Sequence, residues 1–193
     1  MKHSLETIKA YAKTHRVPIM SDDSIAFVSD VLNEYQAAQI LEIGAAIGFS
    51  SSALALNDPK RHIVSLERDD ERVSEALVNV NGLGLSNRVQ IVHADAHTYR
   101  VKQNFDALII DASKAQNRSF FRLYFAYTDK VCIIDNVDYH GFVSSEGFES
   151  IHSRRLRQMV RKIQEFKTYL EGRSDLVVSH HDVGDGMLVV RRK

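Results

Sequence analysis

Short apolar runs rich in valine, isoleucine and leucine recur along the chain at residues 39–44 (QILEIG), 62–67 (HIVSLE), 89–95 (VQIVHAD), 105–112 (FDALIIDA) and 131–136 (VCIIDN). Segments of helical period lie between them. In residues 68–85, Val73, Leu77 and Val80 share one helical face before two glycines close the segment. Strand alternating with helix predicts parallel strands joined by right-handed crossovers, with helices on both faces of the sheet. The pattern changes after a long helix from about Ser153 to Leu170, whose apolar stripe is Leu156, Val160, Ile163, Phe166 and Leu170. DLVVSHHDV and GMLVVRRK follow with only the Gly184–Gly186 turn between them. That gap is too short for a crossover, so these strands are antiparallel neighbours. The expectation is a doubly wound, Rossmann-like α/β fold with a mostly parallel seven-stranded sheet and a C-terminal antiparallel hairpin. Residues 1–193 read as a single domain, with helices over 1–36 preceding an α/β core over 37–193.

Composition narrows the class. A chain of 193 residues buries a core large enough to need no metal or disulfide staple. Its one cysteine, Cys132, sits inside an apolar run and reads as a small buried hydrophobe, so a reducing compartment is expected. The amino-terminal residues mix charged and apolar positions without a signal-like apolar stretch, and no later segment reaches membrane-spanning length. A soluble cytoplasmic protein without a membrane partner is expected. Net charge is zero, which argues against a general nucleic-acid binder. The charges are unevenly spread, however. Residues 17–59 carry six acids and no lysine or arginine, whereas residues 154–173 carry seven basic residues against Glu165 and Glu171.

The candidate chemistry gathers at strand ends. LEIGAAIGFSSS gives a strand, a small-residue turn at Gly44 and Gly48, and a helix opened by Ser50–Ser52. Such a turn brings backbone close to a ligand, and the helix start offers free N–H groups. Ala46 and Phe49 stand where the dinucleotide fingerprint requires glycine, so a dehydrogenase is disfavoured. Glu67, Asp95, Asp111 and Asp135 finish four successive strands, where open α/β sheets bind ligands. Glu67 suits a ribose, or else caps the helix that begins near Asp69. Asp111 ends the fourth strand with Lys114 three residues on, and Asp135 and Asn136 end the fifth. If those strands are neighbours, two carboxylates and an amide oxygen converge and ask for a hard cation, Mg²⁺ above zinc or copper. The competing reading is that Asp135 and Asn136 merely terminate a strand. The nine histidines show no zinc spacing, and His180 and His181 point to opposite faces of one strand.

LEIGAAIGFSS, SLERDDER, HADA, IIDASK, IIDNV and VGDGM resemble, in order and spacing, the cation-dependent O-methyltransferases that include catechol and caffeoyl-CoA methyltransferases. Within that family the chain is most similar to the small bacterial tRNA 5-hydroxyuridine methyltransferases, through VPIM at 17–20 and RRLRQMVRKI at 154–163. The resemblance implies a methyltransferase fold, S-adenosylmethionine as cofactor, a divalent cation and a homodimer. Carried over by position, it implies that Glu42, Gly44, Ala46 and Ser50 line the methionine side of the cofactor, with Glu67 at the ribose and Asp95 beside the adenine. Asp111, Asp135 and Asn136 would be metal ligands, Asp111 also bordering the cofactor, and Lys114 the catalytic base. Ala45 stands where the bacterial branch often has threonine, and YTDKVCIIDNV lacks the Pro-Gly-Gly turn that usually precedes the fifth strand. Arg154, Arg155 and Arg157 are candidates for positioning tRNA phosphates, or form a solvated helix face. A catechol-like small-molecule methyltransferase and a non-catalytic S-adenosylmethionine or nucleotide binder are the alternatives. The second has no use for Lys114.

Overall fold

A computed structural model describes residues 3–193. Helices α1 (Leu5–His15) and α2 (Asp22–Glu34) precede the first strand, each opened by a serine whose hydroxyl caps the helix start. Strands β1 (Gln39–Ile43), β2 (His62–Glu67), β3 (Val89–His93), β4 (Phe105–Ile110) and β5 (Thr128–Asp135) follow the apolar runs of the sequence. Between them lie α3 (Phe49–Asn57), α4 (Asp70–Gly82) and α5 (Asn117–Tyr124). A short α6 (Ser145–Glu149) and the long α7 (Arg154–Glu171) lead to β6 (Leu176–His181) and β7 (Met187–Arg192).

The strands form one seven-stranded sheet in the order β3-β2-β1-β4-β5-β7-β6. The first five are parallel, β7 pairs antiparallel with β5, and β6 closes the edge against β7. This is the mixed, doubly wound arrangement that the sequence pattern predicts. One apolar cluster packs α1–α4 on one face of the sheet, and a second packs α5 and α7 on the other. Because β1 lies between β2 and β4, the chain leaves it in two directions, opening a crevice at the carboxyl ends of β1 and β4.

Two details differ from the sequence pattern. No helix joins β3 to β4; residues 94–104 form turns, and the Tyr124 hydroxyl donates to the Ala96 carbonyl across them. Leu77 is half exposed, because α4 buries Val73, Ala76, Asn79 and Val80, a face rotated by one residue. The Asn79 amide donates to the Ile47 carbonyl at 3.0 Å, so a polar side chain takes the inward place that Leu77 was expected to fill.

Candidate active site

A cavity of about 560 Å³ opens at the carboxyl ends of the parallel strands. Gly44, Ala46 and Ser50 line it from the loop after β1, Glu67 and Asp95 from the ends of β2 and β3, and Asp111, Lys114, Asp135 and Asn136 from β4 and β5. Most residues singled out in the sequence are thus brought to one place by the topology.

The loop after β1 is built by close approaches. Gly44 has φ +105°, and a Cβ there would overlap the Asp111 carbonyl, so only glycine lets the β1 and β4 loops meet. Its N–H and that of Ala45 both donate to the Leu66 carbonyl. Ala46 follows at φ 46°, a left-handed conformation, with its N–H donating to Glu67 Oε2 at 2.9 Å. The other Glu67 oxygen accepts from the N–H groups of Arg68 and Asp69 at 2.8 and 3.1 Å. Glu67 therefore fixes the loop while keeping acceptor capacity toward the cavity. The helix start that it borders is capped separately by the Asp69 side chain. Helix α3 begins at Phe49 without a side-chain cap, leaving N–H groups at its start for a ligand.

Glu42 is placed differently from the expectation. It has no exposed surface and does not reach the cavity wall; Ser50 stands between. Its two oxygens accept from the hydroxyls of Ser50, at 2.5 Å, and Ser65. Burial pushes its carboxyl up to about 7, against the lowering effect of those two bonds. At the opposite wall the exposed Asp95 accepts from the His97 N–H at 2.8 Å, and that bond lowers its pKa.

Asp111 and Asp135 lie at the ends of adjacent strands, in a register where Ile110 faces Ile134. Asp135 is 3% exposed, and burial, with Asp111 adding to it, raises its carboxyl well above the usual range. Lys114, in a 3-10 turn over Lys114–Gln116, donates to Asp111 Oδ1 at 2.7 Å. Asn136 takes φ 58°, and its N–H donates to Asp135 Oδ1 at 2.7 Å. Among the described residues, no three His, Cys, Asp or Glu side chains gather at one point. The set here is two carboxylates and one amide, all hard oxygen donors, which suits Mg²⁺ or a similar cation.

The loop bearing Asn136 rests on the turn between β6 and β7, a relation the sequence reading did not identify. Val137 N–H donates to the Gly186 carbonyl, Asp138 N–H to the Asp185 carbonyl, and His140 N–H to Asp185 Oδ1. Asp185 Oδ2 has no hydrogen-bond partner, and the His140 ring nitrogen Nδ1 lies 3.5 Å from it. Asp138 in turn meets Lys167 at 3.1 Å and His180 at 2.7 Å. The available signal was an acid held between two glycines at the turn that joins the last two strands.

The candidate tRNA arginines are not equivalent. Arg154 and Arg155 are exposed at the start of α7, whereas Arg157 is half buried and donates through Nε to the Ile151 carbonyl at 2.6 Å.

A family model described as O-methyltransferase matches residues 2–193. The chain is 31% identical over 133 residues to a catechol O-methyltransferase of Mycobacterium tuberculosis, a match covering 65% of this chain and 60% of that one. It therefore spans less than two thirds of that relative's length. A caffeoyl-CoA O-methyltransferase of Populus kitakamiensis is 24% identical over 96% of this chain and 83% of its own. The crystal structure of a proposed caffeoyl-CoA O-methyltransferase from Staphylococcus aureus superposes with a TM-score of 0.91 at 30% identity, covering 98% of this chain and 92% of that one. The chain belongs to the O-methyltransferase family, the S-adenosylmethionine-dependent enzymes of catechol and caffeoyl-CoA type.

Proposed function

We propose that this protein methylates the 5-hydroxyl of 5-hydroxyuridine at the wobble position of tRNA, giving 5-methoxyuridine, with S-adenosylmethionine as donor and Mg²⁺ or a similar cation bound at Asp111, Asp135 and Asn136. The observation that carries the substrate is the basic first half of α7, which packs against the turn holding Lys114. S-adenosylmethionine supplies an electrophilic methyl group, and the loop from Gly44 to Ser50 with Glu67 and Asp95 fits it in the cavity. A divalent cation supplies charge that favours the ionised substrate hydroxyl. The remaining work falls to the chain. Asp111 holds Lys114 at the cavity wall, and Lys114, as the neutral amine after its own proton has passed to solvent, would accept the hydroxyl proton. Asn136, in its left-handed turn, lines the same cavity. The 5-hydroxyl and 4-carbonyl of the base form a vicinal oxygen pair matched to that arrangement, as do the hydroxyls of catechol.

Catechol is the second reading, favoured by the 31% identity to a catechol O-methyltransferase. Transfer of labelled methyl from S-adenosylmethionine to hypomodified tRNA carrying 5-hydroxyuridine, beside catechol and with Mg²⁺ or EDTA, separates the two. Label in tRNA that is lost with EDTA is expected, and Asp135→Ala should lower it about 10²-fold or more. Label in catechol alone overturns the tRNA reading.

A further inference from the structure

A second depression, of about 860 Å³, lies beside the cavity, on the far side of the turn that carries Lys114. Ser113 and Ala115 flank Lys114 and form one wall, and Tyr139, from the loop after Asn136, borders it. Helix α7 forms the other wall with Arg155, Arg161 and Lys162 and with the apolar side chains of Leu156 and Met159.

The cations on that wall are unpaired among the described residues. Among the described residues, Arg155, Arg161 and Lys162 form no ion pair, while Lys167 and Arg173 further along pair with Asp138 and Asp175. Glu165 is the one acid in the groove, and it pairs with none of the three. Glu165 stands four residues after Arg161 yet pairs with neither it nor Lys162, so three cations against one acid leave this face net positive. Arg161 is also braced, its guanidinium 5.5 Å from the centre of the Phe148 ring. Cations beside Leu156, Met159 and the Tyr139 ring suit a ligand that joins phosphate to a flat ring.

We propose that this groove binds phosphate groups of the substrate, those of the nucleotides next to the reacting base; the source of the phosphates rests on the tRNA reading, their chemistry does not. Arg155 belongs to the site, Arg161 and Lys162 join it, Arg154 lies off the groove, and Arg157 is engaged with the Ile151 carbonyl.

The test measures KM for hypomodified tRNA against salt concentration, for the wild type and a triple variant, Arg155→Ala with Arg161→Ala and Lys162→Ala. Thermal melting checks that the variant is folded. KM should rise about 30-fold, and the salt slope should fall by about 2, as three single-strand phosphate contacts are lost. Lys60→Ala, an exposed cation before the amino end of β2, should stay within about twofold of wild type. A triple variant whose KM and salt slope match the wild type overturns the proposal. If the wild type does not methylate tRNA, the tRNA reading fails and the groove is tested with caffeoyl-CoA against free caffeate, where coenzyme A carries the phosphates. A triple variant that raises the ratio of thioester KM to caffeate KM sustains the groove. An unaltered ratio, or no activity on any phosphate-bearing substrate, overturns it.

Discussion

At the scale of single residues, two buried charged groups off the cavity make the sharpest predictions. Glu42 has its carboxyl raised from 4.5 to about 7 by burial. Its folded pKa lies above its unfolded one, so its contribution is most favourable at low pH. The folded state therefore loses stability as pH rises from about 4.5 to about 7, by on the order of 3 kcal/mol, and levels off above. Glu42→Gln keeps an acceptor and a donor for Ser50 and Ser65 without the charge. Melting curves between pH 5 and pH 8.5 should show a Tm that falls with pH in the wild type and falls less in the variant; parallel curves would refute the assignment. Arg61 is the second case, 1% exposed, with no carboxylate partner. Its guanidinium donates to the Ser29 hydroxyl and carbonyl, the Leu54 carbonyl and the Asn33 side chain, tying α2 to α3, while burial lowers its pKa. Arg61→Ala leaves those acceptors unpaired and opens a void, so urea denaturation should show a loss of about 3 kcal/mol. Nothing in the sequence pattern marks Arg61. A lone arginine before a strand looks like any exposed loop charge, and only the long-range packing of α2 encloses it.

At the scale of elements, the β6–β7 turn acts as a clamp on the loop after β5. That loop has Asn136, Tyr139, His140 and Gly141 all at positive φ, a conformation that needs outside support. Gly186, at φ +79°, leaves no room for a side chain, because a Cβ would overlap the Asp138 carboxylate. Asp185→Ala removes the acceptor for the His140 N–H, whereas Asp185→Asn retains one. The concentration of Mg²⁺ giving half-maximal methyl transfer should rise about tenfold for the alanine variant and about twofold for the asparagine one. Equal effects of the two would assign the loss to fold stability instead. The contrast shows which parts of the site were legible beforehand. Asp111, Asp135 and Asn136 end apolar runs that local pattern marks as strands, and the pairing of β4 with β5, left as a condition by the sequence, brings those ends together. Asp185 acts from a different strand pair, across an antiparallel contact whose register no local pattern specifies. Glu42 was expected at the cofactor through the family resemblance, but strand alternation turns its side chain inward, to where Ser50 and Ser65 meet it. The helix missing between β3 and β4 has a related cause. Tyr99 and Val101 pack as single apolar contacts on the second cluster, without the repeated spacing that sustains a helical face.

For the whole molecule, the division into N-terminal helices and an α/β core does not coincide with the walls of the active site. Pro18, Ile19, Met20 and Ser21, from the connection between α1 and α2, line the same cavity as Gly44 and Lys114. Ile8, Ala12 and Met20 are buried in the cluster that includes β1, α3 and β5 residues, so the first helices are packed as part of the core. A cofactor that touched both parts of this wall would couple its binding to the packing of α1 and α2, by binding the folded state alone. Met20→Ala removes a side chain that belongs at once to the cluster and to the cavity wall. Stability should drop by about 2 kcal/mol or more from the lost burial. Affinity for S-adenosylhomocysteine should also weaken several-fold. Ile8→Ala, equally buried but away from the cavity wall, should cost comparable stability with the ligand affinity kept. Calorimetric titration of both variants, beside their urea midpoints, distinguishes the outcomes. If both lose affinity in proportion to stability, the amino-terminal segment acts only as support. If Met20→Ala alone loses affinity, the segment is a wall of the binding site, and residues before the α/β core belong to its chemistry.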